Sequence, residues 1–152
     1  MEFYTHKMKL EDIMGEWEKD SKLDTVELDK ESLKIPTLHN KYLKIYTNEN
    51  LLLKKMNHDF KEMERDKFEY YSGKMCQEDL EERGWDQFDH KLLKQDIPRY
   101  LDSDSGLIKM LLRIDYQKEK VETVKSIMTS INGRSFHISN AIKWQQFLNG
   151  IN

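Results

Sequence analysis

Cysteine, proline and glycine are scarce in this 152-residue chain, which holds one, two and six of them. The lone Cys76 has no partner for an internal disulfide, and no Cys/His cluster shows zinc spacing, so a stapled secreted scaffold is excluded and a reducing intracellular setting is expected. The scattered glycines form no G-x-x-x-x-G-K-[ST] phosphate loop, which argues against a nucleotide-driven enzyme. No apolar run approaches the length that spans a bilayer, and the N-terminus lacks a hydrophobic signal core. A soluble, cytoplasmic protein is expected. The histidines, His6, His39, His58, His90 and His137, pair with no nucleophile or metal partner. The acid pairs Asp86/Asp89 and Asp102/Asp104 lie in acidic stretches that read as solvated loop. No catalytic residue, metal ligand or cofactor is assigned, and the chain reads as a non-enzyme.

Charge is plentiful: 35% of residues are charged against 38% hydrophobic, enough apolar material for one core. The net charge of -3 excludes a uniformly basic nucleic-acid binder, so its distribution matters more than its sum. Residues 8–33 hold nine acids and four bases, and 75–105 hold nine and four. Between and after them, residues 38–74 hold eight bases and six acids, and 106–152 hold seven and three. Charge alternates in blocks.

Periodicity gives a single all-α domain over 1–152. Residues 1–7 read as a flexible extension. From Met8 to about Asp20, Leu10, Ile13, Met14 and Trp17 line one apolar face. Asp24 or Thr25 is placed to cap a second short helix through Leu33, after which Pro36 breaks or restarts the chain. A long helix is expected from Pro36 to Ser72, with Leu38, Tyr42, Ile45, Leu52, Met56, Phe60, Met63 and Tyr70 close to a heptad. Glu49, Asp59 and Asp66 interrupt that seam, and Gly73 stands where a left-handed cap falls. Residues 74–103 read as an acidic connection, with a short helix or hairpin around Gln77 to Arg83.

A second heptad then runs through Leu107, Met110, Ile114, Gln117, Val121, Val124, Met128 and Ile131, with Asn132-Gly133 expected to end it. Ser135 is expected to cap a last helix with a stripe of Phe136, Ile138, Ala141, Ile142, Trp144 and Phe147. Residues 104–150 are thus C-terminal helices, and Leu107, Met110, Ile114, Val121, Val124, Met128 and Ile131 are assigned to oligomerisation. The reason is that two seams and two amphipathic helices offer more apolar edge than one chain readily covers.

At 100° per residue, Lys54, His58, Lys61 and Arg65 form a basic stripe opposite the apolar face of the long helix. Lys67 falls on the other side, beside Phe60, Met63 and Tyr71, and Lys74 follows one heptad later. Lys54, Lys61 and Arg65 read equally well as a solvated face paired with Glu62 and Asp66. A lysine among aromatics must instead snorkel or face a groove, and a cation beside Tyr70 and Tyr71 suits a phosphate with a stacking surface.

The stretch RDKFEYYSG, Arg65 to Gly73, resembles the hallmark of the UvsY family of T-even-type phage recombination mediators. So do MKLEDI, Met8 to Ile13, with Lys19-Asp20, and RSFHISNAIKWQQFLNG, Arg134 to Gly150. The basic pair reads Arg then Lys, the reverse of the family order, and Ser135 replaces a glycine. The resemblance implies a homo-oligomeric ring in the cytoplasm of an infected bacterial host that binds single-stranded DNA. It further implies contact with the phage recombinase, a RecA-like UvsX protein, and with the phage single-strand-binding protein, which the recombinase is helped to displace. Arg65 and Lys67 inherit the DNA-contact role, with Lys54, His58, Lys61, Tyr70, Tyr71 and Lys74 around them. The alternative is a helical coiled-coil adaptor that binds no DNA.

Overall fold

The computed structural model describes residues 8–150. Their elements in chain order are α1 (Leu10–Asp20), α2 (Leu28–Tyr71), α3 (Gln77–Arg83), α4 (Ile97–Asp102) and α5 (Ser105–Leu148). No strand occurs among the described residues. The described residues divide into two compact units, 8–52 with 118–150, and Leu53–Gln117. Each long helix contributes one part to each unit.

In the first unit, α1 packs with the first part of α2 and the second part of α5. Ile13, Tyr42, Val124, Ile127 and Ile131 form its buried centre, flanked by Trp17, Ile35, Leu38, Ile45 and Met128. On α2 and α5 these positions recur three or four residues apart, the spacing that keeps one face of a helix inward. Burying each large aliphatic side chain contributes about 1.5–3 kcal/mol. Tyr42 is fully buried, and its hydroxyl donates to Asp20 Oδ2 at 3.0 Å. Burial, reinforced by that bond, pushes its pKa above the ordinary tyrosine value. Glu49, an interruption of the α2 seam in sequence, is buried there against Lys120 on α5, Oε2 to Nζ 2.7 Å.

Two boundaries differ from the sequence reading. Asp24 Oδ1 accepts the N–H groups of Val26 and Glu27, but α2 starts at Leu28 and runs straight through Pro36. Proline forfeits one backbone hydrogen bond, yet Leu28 and Glu31 are buried before it and Ile35 and Leu38 pack on the core around it. Likewise α5 passes through Asn132-Gly133, with no new cap at Ser135, because Ile131, Arg134 and Ile138 keep the same buried face on both sides. A helical glycine costs about 1 kcal/mol, less than that face gains.

The second unit holds the rest of α2 and α5 with α3 and α4, so the 74–103 connection carries two short helices. The end of α2 closes as foreseen: Gly73 has φ 71°, its N–H reaches Tyr70 O, and the Lys74 N–H reaches Glu69 O. Gly84, at φ 64°, repeats that closure after α3, with Trp85 N–H on Leu80 O. Asp104 starts α5 by accepting the Leu107 N–H on Oδ1 at 2.9 Å. A Cβ at Gly106 would stand 3.0 Å from Asp104 Oδ1 and 3.3 Å from Met63 Cε, so glycine permits the approach of α2 and α5 here.

The α5 seam finds its burial inside one chain. Leu107 and Ile114 are buried in the second unit, and Val121, Val124 and Ile131 in the first, while Met110 and Met128 are half-buried. The large apolar side chains still exposed near the end of α5 are Phe136, Ile142, Trp144, Phe147 and Leu148.

Candidate nucleic-acid interface

The sequence-derived site lies wholly within the second unit, and the structure sorts its residues into two groups. Lys54, His58, Lys61, Arg65 and Lys74 are exposed. The first four recur at 4, 3, 4 spacing on α2, opposite the half-buried Met56, Phe60, Met63 and Tyr70. Arg65 is 66% exposed and anchored by its neighbour, with Nη2 and Nε donating to Asp66 Oδ1 at 3.0 and 3.3 Å. Asp66 Oδ2 also accepts from Arg83 Nη2 at 2.9 Å, tying α3 to α2. Burial would raise the Asp66 carboxyl, but the hydrogen bonds from Arg83 and Arg65 outweigh it and hold it below the usual range. A guanidinium has five N–H donors, so this anchoring leaves Arg65 with donors facing solvent.

Lys67, Tyr70 and Tyr71 point elsewhere. Two residues along a helix is a rotation of 200°, and Lys67 lies on the packed side, its side chain 12% exposed. Its ammonium is 3.0 Å from Asp104 Oδ2 and 3.9 Å from the centroid of Trp85. Tyr71 Oη donates to the same carboxylate oxygen at 2.8 Å, and Tyr70 Oη to the Asp86 carbonyl at 2.9 Å. Burial alone would raise the Asp104 carboxyl, but the Leu107 N–H, Lys67 and Tyr71 together hold it below the usual range. Burial and the bond to Asp104 push the Tyr71 hydroxyl above its ordinary pKa.

The rings of Tyr70 and Tyr71 pack with Trp85, Phe88 and Tyr100 at centroid distances of 5.1 to 5.6 Å. The cation–aromatic grouping expected from sequence is therefore present, but its anion is the chain's own Asp104 and its stacking partners come from the acidic connection. Sequence reasoning missed Trp85 and Arg83 and read Asp104 as a solvated loop acid, whereas it is buried, caps α5 and pairs with Lys67. The available signals were a lysine on an apolar face, which needs an acid, and an aspartate before a heptad, which is a helix cap.

The family profile described as "Recombination, repair and ssDNA binding protein UvsY" matches residues 16–151. No curated protein sequence matches the chain. Among solved structures, the bacteriophage T4 recombination mediator protein UvsY in lattice type II superposes with a TM-score of 0.80 at 21% identity, covering 94% of this chain and 99% of that one. The type IV lattice gives 0.80 at 19%, covering 92% and 99%, and type I gives 0.74 at 18%, covering 90% and 98%. These likenesses establish a shared helical fold, and the profile spans most of the sequence. The chain belongs to the UvsY family of recombination, repair and single-stranded-DNA-binding proteins.

Proposed function

We propose that this chain binds single-stranded DNA through the α2 stripe of Lys54, His58, Lys61 and Arg65, extended by Lys74. In this reading it acts as a recombination mediator. The observation that carries it is an exposed, regularly spaced row of basic side chains in a member of a single-stranded-DNA-binding family. Lys54, Lys61 and Arg65, with His58 completing the 4, 3, 4 spacing, offer phosphate contacts without base readout, as sequence-neutral binding requires. Lys67 serves here as a positioning residue: by holding Asp104 and Trp85 it fixes the end of α2 that presents Arg65. Tyr70 and Tyr71 act with it, since their rings are engaged within the unit.

A homo-oligomeric ring would repeat the stripe around its circumference, and linked weak contacts then add through effective concentration. Holding the strand on such a surface favours its transfer from the phage single-strand-binding protein to the phage recombinase in the host cytoplasm. The exposed apolar residues at the end of α5 supply surface for self-association. No catalytic step is involved.

The test is a salt titration of a fluorescent oligonucleotide against Lys61→Ala and Arg65→Ala variants, with sedimentation to report assembly. Each substitution should weaken binding independently of base sequence and lower the slope of log K against log salt by about 0.7 per lost contact per protomer engaged. Assembled variants that keep the parent's affinity and slope would exclude the stripe. Absence of DNA affinity in the parent would leave a helical adaptor.

A further inference from the structure

The first unit contains a cleft of about 520 Å³ whose charged lining is Lys19, Lys22, Lys34, Lys41 and Arg134, with the carboxylates of Asp20 and Glu31. Three of the cations are paired: Lys19 Nζ is 3.8 Å from Glu16, Lys34 Nζ is 2.6 Å from Glu31, and Lys41 Nζ is 2.6 Å from Asp20 and 2.8 Å from Glu16. Arg134 and Lys22 are not, since neither forms an ion pair with a described residue. Arg134 is the more unusual. Only 5% of the residue is exposed, yet its guanidinium bonds a neutral group, Nη2 donating to the Asp20 carbonyl, and lies 5.7 Å from the Trp17 ring. No buried side-chain nitrogen or oxygen among the described residues lacks a hydrogen-bond partner. The guanidinium nitrogens that make no bond within the chain are therefore those the cleft leaves open to solvent.

A buried cation without a counter-charge is costly, and an anion entering the cleft would relieve that cost. We propose that this cleft binds phosphate, with Arg134 as its buried fork and Lys22 as its exposed clamp. Two uncompensated cations match a phosphate monoester, which carries roughly -1.5 to -2 charges, or two successive diester groups of a strand, better than they match a single carboxylate. Arginine's planar donors suit the divergent oxygens of a phosphate.

The test titrates the whole chain with inorganic phosphate, a 5′-mononucleotide and an oligothymidylate lacking a terminal phosphate, at fixed ionic strength against chloride. The Arg134 Nε–H and Trp17 Nε1–H resonances are followed by NMR. Saturable shifts are expected at both, with affinity falling about tenfold in Arg134→Gln and about threefold in Lys22→Ala. Lys22 is exposed, so that variant keeps its fold even where Arg134→Gln does not. Binding of the small phosphates alone makes the ligand a monoester, and binding of the oligothymidylate makes it a strand. Shifts no larger than those with chloride, an affinity unchanged by Lys22→Ala, or a preference for polyglutamate would overturn the proposal. The α2 stripe lies in the other unit, so its variants fail or succeed independently of this result.

Discussion

Lys67→Ala removes an ammonium 3.0 Å from a carboxylate that is itself 5% exposed. Removing one partner of a buried ion pair costs about 3–5 kcal/mol because the remaining charge stays desolvated. Loss of the Trp85 contact adds about 0.5–2 kcal/mol. Against this, Asp104 keeps the Tyr71 hydroxyl and the Leu107 N–H, so we expect the low end of the sum, about 3.5 kcal/mol, confined to the second unit. Urea unfolding followed by hydrogen exchange measures it, with loss of protection in residues 53–117 and little change elsewhere. Asp104→Asn alone should also destabilise, but adding it to Lys67→Ala should cost less than the sum, with a coupling of about 1–2 kcal/mol. The pH dependence supplies a second signature. Asp104 is held below its ordinary pKa in the fold, so its stabilisation is complete above the unfolded value and is lost as pH falls through the folded one. Without Lys67 the carboxyl titrates higher, and the gap between variant and parent should narrow on acidification. A Lys67→Ala chain within about 0.5 kcal/mol of the parent, or strict additivity with Asp104→Asn, would refute the buried-pair reasoning. In that case, lost DNA affinity in a Lys67 variant would count as a lost phosphate contact rather than a displaced Arg65.

Further outcomes follow from particular residues. Lys120→Met strips Glu49 of an ion pair in which both side chains are almost fully buried, and should lower stability by about 3 kcal/mol in thermal unfolding; adding Glu49→Leu should recover most of it. Gly133→Ala places a Cβ 3.9 Å from His137 Nε2, an ordinary contact in a helix interior, so it should stabilise by about 0.5–1 kcal/mol, and a lowered Tm would show that the helix needs its glycine. Pro36→Ala restores a helical N–H at an exposed position and should raise Tm, by up to about 3 kcal/mol of stability. Asp66 and Asp104 are both held below their ordinary pKa, so circular dichroism should show the second unit losing stability below about pH 4, and flat stability there would contradict their pairing.

Local pattern was sufficient for the all-α class, the extent of α1, the Gly73 cap and the basic stripe from Lys54 to Arg65, while at Gln77 to Arg83 it left helix and hairpin open and the fold chose the helix. Each depends on the 3.6-residue period or on one residue's backbone preference, and both act over a few positions. Tertiary packing decided the rest. Pro36 and Gly133 are breakers by local preference, but each penalty is smaller than the burial secured by the residues on either side. Glu49 reads as a gap in a hydrophobic seam until Lys120, 71 positions later, is placed against it. Arg65 and Lys67 are both cations of one short motif. Only the arrival of Asp104 and Trp85 from distant sequence makes one a surface charge and the other an internal tie, because the charge a buried lysine needs opposite it is supplied by the fold and not by its neighbours along the chain.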